Sequence, residues 1–114
     1  MERVKARRPG LSYEIRDLFD VKPSMTDAAA PVVRAVGAAV ARVMGRPAAH
    51  VASPGTYDQK HIDRIGRLSN CVAYGPGILD LAHQPDEWVS VDDMADAALV
   101  MALALDELLG RAGR

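Results

Sequence analysis

His83 is the residue of this 114-residue chain whose type and position are best suited to chemistry. It lies in the segment Ala82–Glu87, a few residues after the turn Tyr74–Gly77 and just before a strongly amphipathic stretch. An imidazole on a loop can bind a metal through one ring nitrogen while a carboxylate orients the other, and Asp86 and Glu87 are close in sequence. A loop histidine is also often a plain surface residue, so residue type alone leaves both interpretations open.

A second candidate is the pair Gly55 and Thr56, which leads into a predicted short helix. Backbone N–H groups at the start of a helix favour an anionic group, and the Thr56 hydroxyl can add a hydrogen bond. A simple N-cap role explains the threonine equally well. The sequence alone does not choose between an anion site and a cap.

The remaining chemically capable residues favour structural roles. His61 and Asp63 are two positions apart in a predicted helix, so their side chains diverge and are poor joint metal ligands. Cys71 lies in an apolar run without an adjacent base, which is typical of a small buried hydrophobe. The chain has no P-loop, Gly-x-Ser-x-Gly or Cys-x-x-Cys motif, which removes several reaction classes.

Charge and composition also limit the function. The net charge of −1 and the isoelectric point near 6.3 give no electrostatic support for binding nucleic acid or a membrane surface. The single cysteine excludes an internal disulfide, and no apolar run reaches the ~18 residues of a membrane span. Together with the absence of a signal peptide at the start, these features predict a soluble, cytoplasmic chain. The basic opening, interpreted as solvated surface, contains Arg3, Lys5, Arg7 and Arg8.

Hydrophobic periodicity predicts three strands. Residues 11–21 alternate between apolar and polar, which is typical of a half-buried strand. Residues 50–53 and the small apolar run 70–74 are the other two.

Three helices are predicted between and after these strands. The first spans Ala30–Met44, with Pro31 in its first turn and Gly45 after its end. A short helix covers Thr56–Ile65, and a long one follows the Ser90 cap. The predicted buried stripe of the long helix contains Met94, Ala97, Ala98, Met101, Leu105 and Leu108. The alternation of strands and helices predicts an α/β fold.

Three stretches of this sequence together resemble a known family. SPGTYDQKHIDRIG, CVAYGPG and AHQPDEWVSVDDM are similar to the carboxyl-terminal end of the acetylornithine deacetylase and succinyl-diaminopimelate desuccinylase family. These enzymes are co-catalytic zinc amidohydrolases related to aminoacylases. The resemblance extends over most of the chain, and the Gly-Pro-Gly turn with Ala-His-x-Pro-Asp-Glu is its specific part.

The resemblance implies a division of the chain and a set of roles. Residues 1–26 would end a lid domain that dimerises, with 11–21 as its last strand, and residues 27–114 would be the C-terminal segment of the catalytic α/β domain. His83 would bind zinc, with cobalt or manganese as alternatives, in a two-metal site. Gly55 and Thr56 would line the pocket for an N-acyl amino acid, and the complete enzyme would be a homodimer.

The sequence also departs from the family pattern. Relatives carry a His-x-Asp motif, a bridging aspartate and a Glu-Glu pair that supplies the general base; the chain has none of these in the matching place, so it contains no catalytic residue. A catalytic zinc needs about three protein ligands. The chain is therefore expected to be inactive alone, as the C-terminal part of an amide-bond deacylase. The alternative is a non-catalytic α/β fragment or interaction module.

Overall fold

A computed structural model describes residues 2–8, 10–53, 55 and 57–110. Four α-helices occur in this part of the chain: α1 (Glu2–Arg7), α2 (Pro31–Met44), α3 (Gln59–Gly66) and α4 (Val91–Gly110). A short 3-10 turn, Leu79–Leu81, lies between α3 and α4. The other described residues form turns, bends and irregular segments.

The helix α2 begins and ends where its local sequence dictates. The helix starts at Pro31, one residue later than predicted. Pro31 suits this position because an N–H in the first turn has no partner within the helix, so its absence costs no hydrogen bond. At the other end Gly45 adopts a left-handed conformation (φ 66°) and donates its N–H to the Ala41 carbonyl. Asp27 closes the preceding turn, its carboxylate accepting the Ala29 N–H at 2.7 Å.

Helix α4 starts at the predicted cap. The Ser90 hydroxyl accepts the Asp93 N–H at 3.4 Å, and Asp92 and Asp93 lie in the first turn, where the helix dipole favours negative charge. The short helix α3 runs from Gln59 to Gly66, three residues later at its start than predicted. The long and short helices of the sequence prediction are therefore confirmed in type, with small shifts of their ends.

Packing of α2 against α4 forms the core, and no other pair of helices in the described residues is in contact. The buried cluster consists of small side chains, so the two helices can approach closely. Val100, at the centre of this cluster, is 0% exposed. Partly buried residues pack against the cluster: Val36, Val43, Met44, Leu103 and Leu108. The buried members are Ala35, Ala39, Val40, Val100 and Ala104.

The predicted stripe of α4 is largely wrong. Ala97 is buried and Leu108 is half-buried, but Met94, Met101 and Leu105 are exposed. Ala98 is exposed too. Because α4 is apolar on most of its circumference, periodicity alone could not identify which side contacts α2. The contact runs through Ala97, Val100 and Ala104 instead.

The predicted α/β fold is wrong as well. No residue of the described part of the chain is in a β-strand, so neither the lid strand at 11–21 nor the strands at 50–53 and 70–74 are present. Alternation of apolar and polar residues favours an extended backbone, but a strand also requires a partner backbone about 4.8 Å away. These segments have no such partner and form no regular secondary structure. On the expected apolar side of 11–21, Leu11, Ile15, Phe19 and Val21 are exposed.

The molecule is consequently elongated. Its Cα atoms have a radius of gyration of 20.1 Å and extents of 68 × 37 × 18 Å, whereas a compact domain of about 100 residues has a radius near 13 Å. None of the described helices is long and apolar enough to cross a membrane.

Candidate functional site

An open cavity lies beside the helix pair. Its volume is 1180 Å³, somewhat above the ~300–1,000 Å³ usual for small-molecule pockets. Val33, Val36 and Val40 of α2 form an apolar wall, and Ala97 of α4 adjoins it. Residues 21–26, 48–53 and 71–79, which lie outside the α-helices, supply most of the remaining lining. The cavity therefore lies between the packed helix pair and the non-helical segments on one side of it.

Gly55 lines this cavity. Its N–H donates to the Ser53 hydroxyl at 3.2 Å, and the Ser53 hydroxyl in turn donates to the Tyr57 hydroxyl at 3.0 Å. A Cβ built on Gly55 would lie 3.2 Å from the Tyr57 hydroxyl oxygen, so a larger residue would press on this ring. The geometry places Gly55 where a cavity ligand could reach it. Thr56, predicted to act with Gly55, lies outside the described residues.

A polar cluster centred on Thr26 holds the base of the loop that contains Gly55. The Thr26 hydroxyl donates to the Ser69 carbonyl at 2.8 Å and is also bonded to the Cys71 carbonyl. The side-chain amide of Gln59, at the start of α3, donates to the Thr26 hydroxyl (3.1 Å) and the Cys71 carbonyl (3.0 Å). Three segments distant in sequence are thereby joined at one hydroxyl. We call Thr26, Gln59 and the Ser69 and Cys71 carbonyls the Thr26 cluster.

Two flanking contacts extend the same attachment. The Ser24 hydroxyl donates to the Asp63 carboxylate at 3.2 Å, and the Asn70 side-chain oxygen accepts the Val32 N–H at the start of α2. Asn70 thus satisfies one of the N–H groups left open at the first turn of α2. Ser24, Thr26 and Asn70 therefore act through side-chain hydrogen bonds to distant segments. Their pairing across about 40 positions has no local signal in the sequence.

One ionisable cluster in the cavity was missed by sequence analysis. Burial raises the pKa of the Tyr74 hydroxyl, the negative charge of Asp96 raises it further, and the Arg46 guanidinium opposes both. All three side chains line the cavity. The tyrosine therefore stays protonated, and able to donate a hydrogen bond, above the usual tyrosine pKa.

His83 lies on an exposed turn after the 3-10 helix, outside any helix. Its backbone is left-handed (φ 63°), as is that of Asp86 (φ 61°). The Glu87 carboxylate accepts the His83 N–H at 3.1 Å, and the Gln84 N–H donates to the Leu81 carbonyl at 3.2 Å. These bonds support an unusual conformation for residues with a Cβ. The predicted α/β fold would have placed His83 after a strand at 70–74, and no such strand is present in the described chain.

The structure does not bring the predicted site residues together. His83 is not among the residues that line the cavity, whereas Gly55 is. Among the described residues, no group of three His, Cys, Asp or Glu side chains is arranged to hold a metal ion. His61, half-buried, instead faces the Phe19 ring at 6.5 Å between centroids. The described residues by themselves therefore do not fit a catalytic zinc, which needs about three protein ligands.

Comparison with known proteins identifies the family. Residues 3–107 match the profile of Peptidase family M20/M25/M40, whose members are hydrolases that generally depend on a metal. The corresponding searches of curated proteins and of solved structures match nothing. The narrower resemblance to acetylornithine deacetylases stays a prediction. Because the match extends over most of its length, this chain belongs to peptidase family M20/M25/M40.

Proposed function

We propose that this chain is the C-terminal part of a metal-dependent amidohydrolase that acts on N-acyl amino acids, as in the acetylornithine deacetylases. The observation that carries the proposal is the family match over residues 3–107. In this proposal residues 1–26 end a lid domain and residues 27–114 belong to the catalytic domain. The native metal is zinc, or else cobalt or manganese, and the complete protein is cytoplasmic and homodimeric.

His83 has the role of one metal ligand in this proposal. Its exposed position on a turn supported by Glu87 agrees with that role, because the side chain is accessible to groups from elsewhere. The remaining ligands and the general base come from outside the described residues, since these hold no group suited to a metal. No catalytic step is therefore assigned to the chain on its own.

Gly55 and Thr56 would contact the carboxylate or acyl group of the substrate. Three features of the cavity support this proposal for Gly55: an apolar wall of valines, the Tyr74 hydroxyl, which can donate a hydrogen bond, and the Arg46 guanidinium. An N-acyl amino acid has one anionic end and one less polar end. Such a cavity offers both kinds of surface.

The first experiment measures hydrolysis of N-acetyl amino acids by the purified chain with added zinc. We expect no turnover, because without a completed metal site water stays a poor nucleophile at neutral pH. Turnover that depends on zinc and is abolished by a chelator would contradict the proposal that the other metal ligands and the general base come from outside the described residues.

The second experiment reads the DNA upstream of the codon for Met1. An in-frame segment with His-x-Asp and Glu-Glu motifs is expected, and the polypeptide that it encodes should restore chelator-sensitive activity when co-expressed with this chain. His83→Ala should abolish the restored activity, while the control His61→Ala, at a histidine outside the cavity lining, should leave it nearly unchanged. Equal activity of both variants would remove His83 from the metal site.

A further inference from the structure

Helix α2 has a glycine where a larger residue would stabilise the helix. Gly37 lies in the middle of Pro31–Met44 and lines the cavity. Glycine in a helix interior lowers stability relative to alanine, because it loses more backbone freedom on folding. Apart from its chain neighbours and the backbone of its own turns, no described atom lies within 4 Å of a Cβ built on Gly37. Packing among the described residues therefore does not require a glycine here.

The glycine opens a gap in the apolar wall of the cavity. Val33, Gly37 and Val40 recur at helical spacing, so they lie along one face of α2. Both valines are buried, and both line the cavity. An apolar ligand group placed in the gap would contact these valines and lose its water, which favours binding. The gap therefore selects for apolar ligand groups.

Charged groups of both signs contribute to another part of the cavity lining. Arg46 follows the end of α2, and the half-buried Asp93 and Asp96 share one face of α4. Burial raises the pKa of the Tyr74 hydroxyl, Asp96 raises it further and Arg46 lowers it, so both charges act on the same hydroxyl. Arg46 makes no ion pair with either aspartate in the described part of the chain. The guanidinium and the carboxylates are therefore available to a ligand.

One class of small molecule carries a group for each of these surfaces. The carboxylate of an α-amino acid can accept two hydrogen bonds from a guanidinium and another from a tyrosine hydroxyl. Its ammonium can donate to aspartate carboxylates, and its side chain can enter an apolar gap. An N-acyl amino acid lacks the ammonium, because its nitrogen is a neutral amide. The aspartates therefore favour the free amino acid.

We propose that the cavity binds a free α-amino acid with a branched apolar side chain. Arg46 and Tyr74 hold its carboxylate, and Asp96 holds its ammonium with Asp93 beside it. Its side chain fills the gap at Gly37. Under the proposed function, on which this step alone rests, such an amino acid is the product of deacylation and competes with the N-acyl substrate for the cavity.

Isothermal titration calorimetry of the full chain, without metal, tests the ligand class. The probes are L-leucine, N-acetyl-L-leucine, which lacks the ammonium, and L-leucinamide, which lacks the carboxylate. We expect L-leucine to bind at least about tenfold more tightly than either of the others, because each of them loses a charge-assisted hydrogen bond. No saturable binding of L-leucine, or equal affinity for L-leucine and N-acetyl-L-leucine, would overturn the proposal.

Paired variants test the charged groups. Arg46→Met and Asp96→Asn should each weaken L-leucine binding about tenfold, while Asp96→Asn should leave N-acetyl-L-leucine binding unchanged. The controls Arg42→Met and Asp92→Asn change exposed residues outside the cavity lining and should bind L-leucine like the unmodified chain. Equal weakening of both ligands by Asp96→Asn, or no weakening of either, would contradict the role of Asp96.

A change of side-chain size tests the gap. Gly37→Leu should weaken L-leucine binding about tenfold and leave the binding of L-alanine nearly unchanged, because only the longer ligand side chain reaches the gap. The control Ala38→Leu adds the same side chain at an exposed position outside the cavity lining and should change neither affinity. Circular dichroism should show that both variants keep their helix content. An equal loss of affinity for the two ligands, or no loss, would contradict the role of Gly37.

Failure of the amino-acid site and failure of the proposed function give different results. Binding of L-leucine is measured without metal or turnover, whereas deacylation is measured with the co-expressed upstream polypeptide. Deacylation by the pair of polypeptides, without L-leucine binding by this chain, would overturn only the amino-acid site. Selective L-leucine binding without any deacylation would overturn only the proposed function.

Discussion

The helix pair α2–α4 and the loop-rich region around it are stabilised in different ways. The pair is held by apolar packing around Val100, which is fully buried. The loop-rich region, residues 46–58 and 67–90, has few buried side chains. It depends on particular hydrogen bonds, such as the one that its Ser69 carbonyl accepts from Thr26, and on backbone conformations such as those at Gly77 and His83. Every predicted site residue belongs to the second region. The packed framework of this chain and its candidate site residues therefore lie in different regions.

Val100→Asp should have the largest effect. A carboxylate at this fully enclosed position would lose its water without gaining a partner, which costs several kcal/mol. We expect loss of cooperative unfolding and of much of the helical circular dichroism signal. The matched control is Leu99→Asp, one residue away and 51% exposed, which should change the free energy of unfolding by about 0.5 kcal/mol or less. Similar losses in both variants would mean that α2 and α4 are not packed as described.

Gly77→Ala should have the next largest effect on stability, and it tests the loop-rich region. Gly77 is left-handed (φ 87°), and a Cβ there would lie 3.3 Å from Cγ2 of Val89. The backbone strain and the contact together should lower the free energy of unfolding by about 2 kcal/mol. The control is Gly45→Ala, which has a left-handed φ of 66° but open space around the new methyl group, and should cost about 1 kcal/mol. Urea titrations of both variants measure the difference; equal losses would show that Val89 moves aside freely.

Thr26→Val should have the smallest of these effects. It keeps the shape of the side chain but removes the hydroxyl that joins Gln59 and the Ser69 and Cys71 carbonyls, at a cost of about 1 kcal/mol. Hydrogen exchange should quicken at the start of α3 and leave the centre of α4 unchanged. Thr26→Ser keeps the hydroxyl and should restore slow exchange. Uniformly faster exchange in Thr26→Val would instead indicate that the two regions unfold together.

Local sequence signals determined the helix ends and the turn that holds His83. Pro31 and Gly45 marked the ends of α2, Ser90 marked the start of α4, and the position of His83 on a turn outside the helices followed from the residues around it. The motifs also indicated a metal-dependent hydrolase, which agrees with the family match. Such signals succeed because caps, turns and helix ends depend on interactions within a few residues.

Three other features depend on the tertiary structure: the buried side of α4, the absence of strands, and the contacts between residues far apart in the chain. The choice of Ala97, Val100 and Ala104 as the buried side of α4 depends on where α2 lies, since α4 offers apolar residues on several sides. The segments predicted as strands did not form strands because strand formation requires a partner backbone, which an alternating pattern cannot supply. The Thr26 cluster and the trio of Tyr74, Asp96 and Arg46 join residues far apart in the chain. Their proximity is a property of the folded backbone, and no local pattern of residue types encodes it.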